Sequence, residues 1–209
     1  MNIRNAYNQW SDSYDTDENL TRDLDQTVTR QVLGAMHLGK ILETGCGTGK
    51  NTAFYAQIGA QVQALDFSEG MIARAREKVT ADNVTFSVAD LTQKWPCAAG
   101  TVDLVVCNLV LEHIADLDFI FAEAKQVLVP GEKFFISELH PFKQYGGSQA
   151  QFQQGGETTK VTAYVHHISD FVGAAAGQDF QLLELKEWWH ERDEGQPPRL
   201  VTFMFQQVE

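Results

Sequence analysis

Nine residues constrain this chain more than any others: Ile41-Leu42-Glu43-Thr44-Gly45-Cys46-Gly47-Thr48-Gly49. Two apolar residues run into an acid and then into three glycines at alternate positions. This is the signature of a buried strand turning sharply into a helix. Glycine admits positive φ and leaves no Cβ in the path of a ligand. A helix N-terminus beyond the turn directs free N–H groups toward the same space. The spacing excludes two common nucleotide sites. A dinucleotide loop needs G-x-G-x-x-G, and the third glycine position holds Lys50. A phosphate loop needs Ser or Thr after Gly-Lys, and Gly49-Lys50 is followed by Asn51. Glu43, two residues before Gly45, would repel a pyrophosphate and suits a ligand carrying positive charge.

Along the chain, apolar periodicity predicts alternating strands and helices. Tyr7, Trp10 and Tyr14 share one face of a helical arm, as surface anchor or as flap. A helix is expected over 18–38 from Leu20, Leu24, Val28, Val32 and Leu33, with Gly39 as its stop. Strands follow at 41–43, 61–66, 84–88, 102–107 and 134–137. Helices are expected at 51–58, from Ser68 as N-cap to Val79, and at 117–128, ended by Pro130-Gly131. The rhythm breaks in 139–168, with short strands expected at 151–153 and 160–166. A short helix at 169–176 and two strands, 180–188 and 200–208, close the chain. The alternation predicts an α/β fold with a parallel sheet and right-handed crossovers. The last two strands read as an antiparallel hairpin on its edge. No linker divides the 209 residues, so one domain is expected, with 1–37 as N-terminal arm and helix and 139–168 as an insert covering the substrate.

Ligands of open α/β sheets bind beyond the carboxyl ends of the strands. The first four strands end at or near Glu43, Asp66, Asp90 and Asn108. An acid one βα unit past the glycines can accept both hydroxyls of a ribose, and Asp66 stands there. Asp90, followed by Leu91, can accept from an adenine amino group. Phe67 and Met71 offer apolar contacts to its ring.

In combination these motifs resemble those of class I S-adenosylmethionine-dependent methyltransferases. Glu43-x-Gly45-x-Gly47-x-Gly49 is similar to the family's first motif and Leu65-Asp66-Phe67-Ser68-x-x-Met71 to its second. Ala89-Asp90-Leu91 is similar to the third, and residues 108–113 to the stretch after the fourth strand. The resemblance implies a Rossmann-like fold with a mostly parallel seven-stranded sheet, helices on both faces and the C-terminal hairpin. It implies S-adenosyl-L-methionine as cofactor, leaving as S-adenosyl-L-homocysteine. Gly45, Cys46, Gly47 and Gly49 would hold the methionine portion, with Glu43 beside it. Asp66 would bind ribose and Asp90 with Leu91 adenine. Asn108 and Leu109 would meet the methionine amino group through the backbone, and Tyr14 would close over the cofactor. Thr44 departs from the apolar residue common at its place.

A base for the acceptor, where one is used, is expected from His140 or His113, with Glu138 as an alternative. His166 and His167 lie in the insert. Phe142, Tyr145, Phe152 and Tyr164 are expected to wall a chamber for a small-molecule substrate. A net charge of −12 argues against nucleic acid as partner. No stretch approaches the ~18 apolar residues that cross a bilayer, so no membrane partner is expected. The three cysteines show no metal-ligand spacing, and reduced thiols in a cytoplasmic monomer or homodimer are expected. Two other readings remain: a non-catalytic cofactor-binding protein of this fold, and a protein or RNA methyltransferase.

Overall fold

Side-chain alternation in the first strand, β1 (Leu38–Thr44), sets up the two faces of the molecule. Ile41 and Leu42 are both fully buried but on opposite sides. Ile41 packs with Leu33, Phe54 and Tyr55. Leu42 packs with Ile120, Phe121 and Phe171. A strand buried on both faces must be interior, and β1 is third of seven, between β2 and β4. The computed structural model describes residues 3–154 and 157–208, and their side chains except at 152–154 and 157. Phe152, expected as a chamber wall, lies outside the described side chains.

The arm begins as helix α1 (Ile3–Trp10), followed by α2 (Leu20–Leu33). After β1 come α3 (Thr52–Ile58), β2 (Gly59–Asp66), α4 (Glu69–Lys78), β3 (Val84–Val88) and β4 (Val102–Asn108). Then follow α5 (Leu117–Val127), β5 (Leu128–Leu139) and α6 (Pro141–Tyr145). A separate two-stranded piece, β6 (Gln151–Gln154) with β7 (Glu157–Lys160), precedes α7 (Ile168–Gly177). The chain ends with β8 (Phe180–Trp188) and β9 (Leu200–Gln207). The sheet order is β3-β2-β1-β4-β5-β9-β8. The first five strands pair in parallel, and β9 pairs antiparallel with both β5 and β8. The expected mostly parallel sheet with its terminal hairpin is therefore present.

Three boundaries differ from expectation, each for a tertiary reason. Helix α2 stops at Leu33, because residues 38–40 extend β1 against β2, with Leu38 opposite Gly59 and Lys40 opposite Gln61. Gly39 is thus a strand residue, where a Cβ would stand 2.5 Å from Asp103 Oδ2. Strand β5 absorbs Pro130-Gly131 through a register irregularity against β4. The strand expected at 160–166 lies instead at 157–160. The following residues are held by single bonds, such as the Tyr164 N–H donating to the Glu112 carbonyl.

Ser68 caps α4 as expected, its Oγ accepting from the Met71 N–H at 3.1 Å. The same hydroxyl donates to Asn8 Oδ1 at 2.6 Å, which fastens α1 over the strand ends. Among the described residues no helix is long and apolar enough to cross a membrane.

Candidate active site

Strand order reverses at β1, which is flanked by β2 on one side and β4 on the other. A crevice opens at such a switch point. Here it is a cleft of about 480 Å³, floored by Gly45, Gly47, Asp66, Asp90 and Asn108 and roofed by Tyr7 and Arg4 of the arm.

The glycine loop is shaped by sterics. Gly45 sits at φ 77°, and a Cβ there would stand 2.0 Å from Val110 Cγ2. Gly47 sits at φ 52°, with nothing within 4 Å of where its Cβ would be. The first glycine allows the chain to pass Val110, and the second leaves the approach open. The Gly45 and Cys46 N–H groups donate to the Leu65 carbonyl at 2.8 and 2.9 Å. The Gly47 N–H donates to Asp66 Oδ2 at 2.9 Å and the Ser68 N–H to Oδ1 at 2.8 Å. A carboxylate has about four lone-pair sites, so Asp66 keeps acceptor capacity for a ligand. Burial pushes its pKa up to about 6 against these N–H groups.

Not every residue of the motif reaches the cleft. Glu43 lies beneath the loop, accepting from the Thr52 hydroxyl at 2.5 Å. Burial raises it to about 8, with Asp66 and Asp25 adding repulsion. Cys46 faces Ala64 and Ile72 in a small apolar cluster. Gly49 packs toward Val79 and Ala75, and Met71 is fully buried. The chain turns into α3 after Gly47, which carries the third glycine away from the opening.

At the far end, Asp90 Oδ1 accepts from the Thr92 N–H and hydroxyl at 3.0 and 2.7 Å. Its Oδ2 is 3.7 Å from Arg4 of the arm. Phe67 lies 5.9 Å from the Tyr7 ring, and Leu91 closes the wall. Asn108 turns its side chain away: Tyr55 donates to Oδ1 at 2.9 Å, and Nδ2 donates to Asp25 and Thr29. Only its backbone is left for the cleft. Leu109 follows at φ 55°, a conformation that costs a branched residue energy and is often stored at functional sites. The turn is held by Glu138, whose Oε1 accepts from the Val110 and Leu111 N–H groups, both at 2.8 Å. Glu138 therefore buttresses the turn and does not line the opening.

Comparison with known proteins agrees with this geometry. A methyltransferase-domain family model matches residues 42–136. An uncharacterized methyltransferase of Emericella nidulans is 29% identical over 86% of this chain and 76% of its own length. A malonyl-[acyl-carrier protein] O-methyltransferase of Yersinia pestis is 28% identical over 81% of this chain, which spans 59% of that protein. The crystal structure of an S-adenosylmethionine-dependent methyltransferase from Mesorhizobium loti has a TM-score of 0.76 at 21% identity, covering 90% of this chain and 100% of that one. Over residues 42–136 the chain matches the methyltransferase-domain model, and its fold is that of a solved S-adenosylmethionine-dependent methyltransferase.

S-adenosylmethionine, the cofactor that this resemblance implies, fits the cleft. Its sulfonium and ammonium need acceptors, and its hydroxyls need a carboxylate. The cleft presents Asp66 and Asp90 with the glycine loop open at Gly47. Beside it lies a second chamber of about 510 Å³. Tyr7, Tyr14 and Leu109 wall both spaces.

The two expected bases part company. His113 stands at this junction. Its Nδ1 contacts the Thr162 carbonyl at 2.8 Å and its Nε2 the Tyr7 hydroxyl at 2.7 Å. A carbonyl only accepts, so Nδ1 carries the proton and Tyr7 donates to Nε2. Burial lowers the His113 pKa and keeps it neutral. His140 lines neither space. Its Nδ1 accepts from the Phe142 N–H at 3.1 Å as the cap of α6, and its Nε2 meets Glu187 at 2.9 Å. These two bonds hold its ring outside both spaces, where it caps α6. His166 is bound through Nε2 to the Ile114 carbonyl at 2.7 Å.

Sequence reasoning did not single out Glu112. It lines the second chamber, and its Oε2 is buried without a hydrogen-bond partner among the described residues. Burial pushes it up to about 7, with the Ala150 N–H opposing. Its Oε1 is 3.8 Å from His113 Nε2. The position beside His113, after the fourth strand, was the available signal. The insert also differs from expectation. Phe142, Tyr145 and Tyr164 face solvent, while Lys143 and residues 146–151 line the chamber.

Proposed function

We propose that this protein transfers a methyl group from S-adenosylmethionine to a small-molecule acceptor held in the second chamber. The observation that supports this reading is the junction: one space with a glycine loop and strand-end acids opens onto another beside a buried carboxyl group, one oxygen of which has no hydrogen-bond partner among the described residues. When bound, the cofactor supplies a methyl group on a sulfonium that is already a good leaving group.

The chain's own residues then have three tasks. The Gly45–Gly47 segment receives the methionine end, with Glu43 below it and the Asn108–Leu109 backbone beside it. Asp66 accepts from the ribose, while Asp90, Leu91 and Phe67 surround the base. Tyr7 and Tyr14 cover the junction and exclude water from the line of transfer. Glu112 Oε2 takes the proton of an O–H or N–H acceptor, since a group titrating near 7 is matched to that task. Tyr7 and neutral His113 fix the edge of the same pocket. Cys46, Cys97 and Cys107 are free thiols, which fits a reducing cytoplasm.

Calorimetric titration with S-adenosylmethionine and S-adenosylhomocysteine tests the cleft. Transfer of labelled methyl into a metabolite panel tests the chamber. Binding of neither cofactor form would overturn the whole reading. Binding without transfer would reduce the protein to a cofactor-dependent partner of another.

A further inference from the structure

The chain carries a net charge of −12, yet the second chamber runs against that balance. Its charged lining comprises Arg22, Lys143 and Arg199 against Glu18 and Glu112. Glu18 is neutralised by Arg192, at 2.7 Å. Glu112 is part-protonated near neutral pH because burial holds it at about 7.

The three cations are undercompensated. Lys143 and Arg199 share a single carboxylate, that of buried Asp193. Lys143 Nζ donates to its Oδ1 at 3.1 Å. Arg199 Nη2 and Nε donate to its two oxygens, both at 2.6 Å. Arg199, then Lys143, holds Asp193 ionised down to about 2, so this anion is present throughout the working range. Two positive charges on one negative charge leave one over.

Arg22 adds a second. Its side chain is buried, with the guanidinium 4.0 Å from the Tyr14 ring centre and 5.5 Å from that of Trp10. It donates to the carbonyls of Tyr14 and Asp17 and forms no ion pair among the described residues. A guanidinium has five N–H donors, so two bonds leave others available. Asp15 feels this charge, which helps hold its carboxyl low, but no carboxylate pairs directly with the guanidinium among the described residues, and a desolvated cation left without a direct partner is costly. The N-terminus of α2, at Leu20, lines the same space and adds positive potential.

We propose that the second chamber recognises an anionic group, a carboxylate or a phosphate monoester, on the methyl acceptor, through Arg22, Lys143 and Arg199. This rests on reading that chamber as the acceptor site. It predicts acidic metabolites as substrates and excludes amines whose only charge is positive. The planar forks of Arg22 and Arg199 match the paired oxygens of either anion.

The test uses the full chain saturated with S-adenosylhomocysteine, titrated with malonate, inorganic phosphate and uncharged malonamide. The expected result is binding of malonate or phosphate that weakens as sodium chloride rises, with malonamide at least about tenfold weaker, the value of one charge-assisted bond. The tighter of the two anions identifies the group. Lys143→Gln should weaken the anion by a similar factor and leave S-adenosylhomocysteine affinity unchanged. This variant keeps the Arg199–Asp193 pair, so it serves if Arg199→Gln does not fold. Malonamide binding as well as the anions, anions competing with S-adenosylhomocysteine, or an indifferent Lys143→Gln would each overturn the proposal. Failure of S-adenosylhomocysteine itself to bind would instead overturn the functional reading, and anion binding to the unloaded chain would then stand or fall separately.

Discussion

The two adjoining chambers are built on opposite plans. The cleft beyond β1 and β2 draws on strand ends close in sequence, and its floor charges are Asp66 and Asp90, the latter beside Arg4 of the arm, with Glu43 and Asp25 buried behind. The second chamber draws on segments as distant as Arg22 and Arg199, and its excess charge is positive. The first is rigid because parallel strands position it. The second is assembled from an arm, an insert and the end of the sheet. A shared reagent can be bound by a scaffold common to a family, whereas selectivity is set by loops placed upon it.

Substitutions that move one chamber and spare the other sharpen this contrast. Glu112→Gln should have the largest effect, lowering kcat about 100-fold, the lower end for loss of a general base. Cofactor affinity should be unchanged, and the limb of the pH–rate profile near 7 should vanish. A variant with normal kcat would return Glu112 to a structural role. Asp66→Asn should act on the other side, weakening S-adenosylmethionine about 10- to 100-fold by calorimetry, as expected for a lost bond to a charged group. Tyr7→Phe touches both chambers and should weaken cofactor and acceptor alike by roughly fivefold, the value of one ordinary hydrogen bond. An effect on one ligand alone would break the idea of a common wall.

A pH series probes the floor beneath the cleft. Glu43 and Glu138 are both raised by burial to about 8, well above a free carboxyl. The folded form therefore holds protons that the unfolded chain releases between about 4.5 and 8. Their contribution to stability is fully present below that window and is lost as pH rises through 8. Tm of the unloaded protein should fall across this range. S-adenosylmethionine, with its added positive charge, should bind more tightly toward pH 8 and flatten the fall. A Tm that climbs from pH 5 to 8 would contradict the assignment. The smallest effect is expected from His140→Gln: a modest loss of Tm with kcat within about twofold, since a cap at a helix start is worth ~1 kcal/mol of stability.

The difference in plan also explains what the sequence disclosed. The sheet and the cleft were legible because alternation, glycine spacing and strand-end acids are local signals. Asn108 lines the cleft at a strand end, yet nothing local indicates that its side chain turns back to Tyr55 and Asp25. Helix α2 is shorter than its apolar periodicity predicts because the ladder with β2, which claims residues 38–40, is a tertiary contact. His140 stood at a strand end as a plausible base, but Glu187, 47 positions away, occupies it. Arg22, Lys143 and Arg199 carry no motif at all. Only the folded chain brings them to one space, and only there does their shortage of carboxylates show.

The arm bears on the order of events as well as on place. Tyr7 and Tyr14 wall both chambers, and Asn8 ties α1 to Ser68 and Gly70 at the head of α4. An arm fastened this way cannot lift from one ligand without baring the other. Arrival and departure at the two sites then pass through a single door. Steady-state kinetics should show compulsory rather than random addition, with the spent cofactor leaving last.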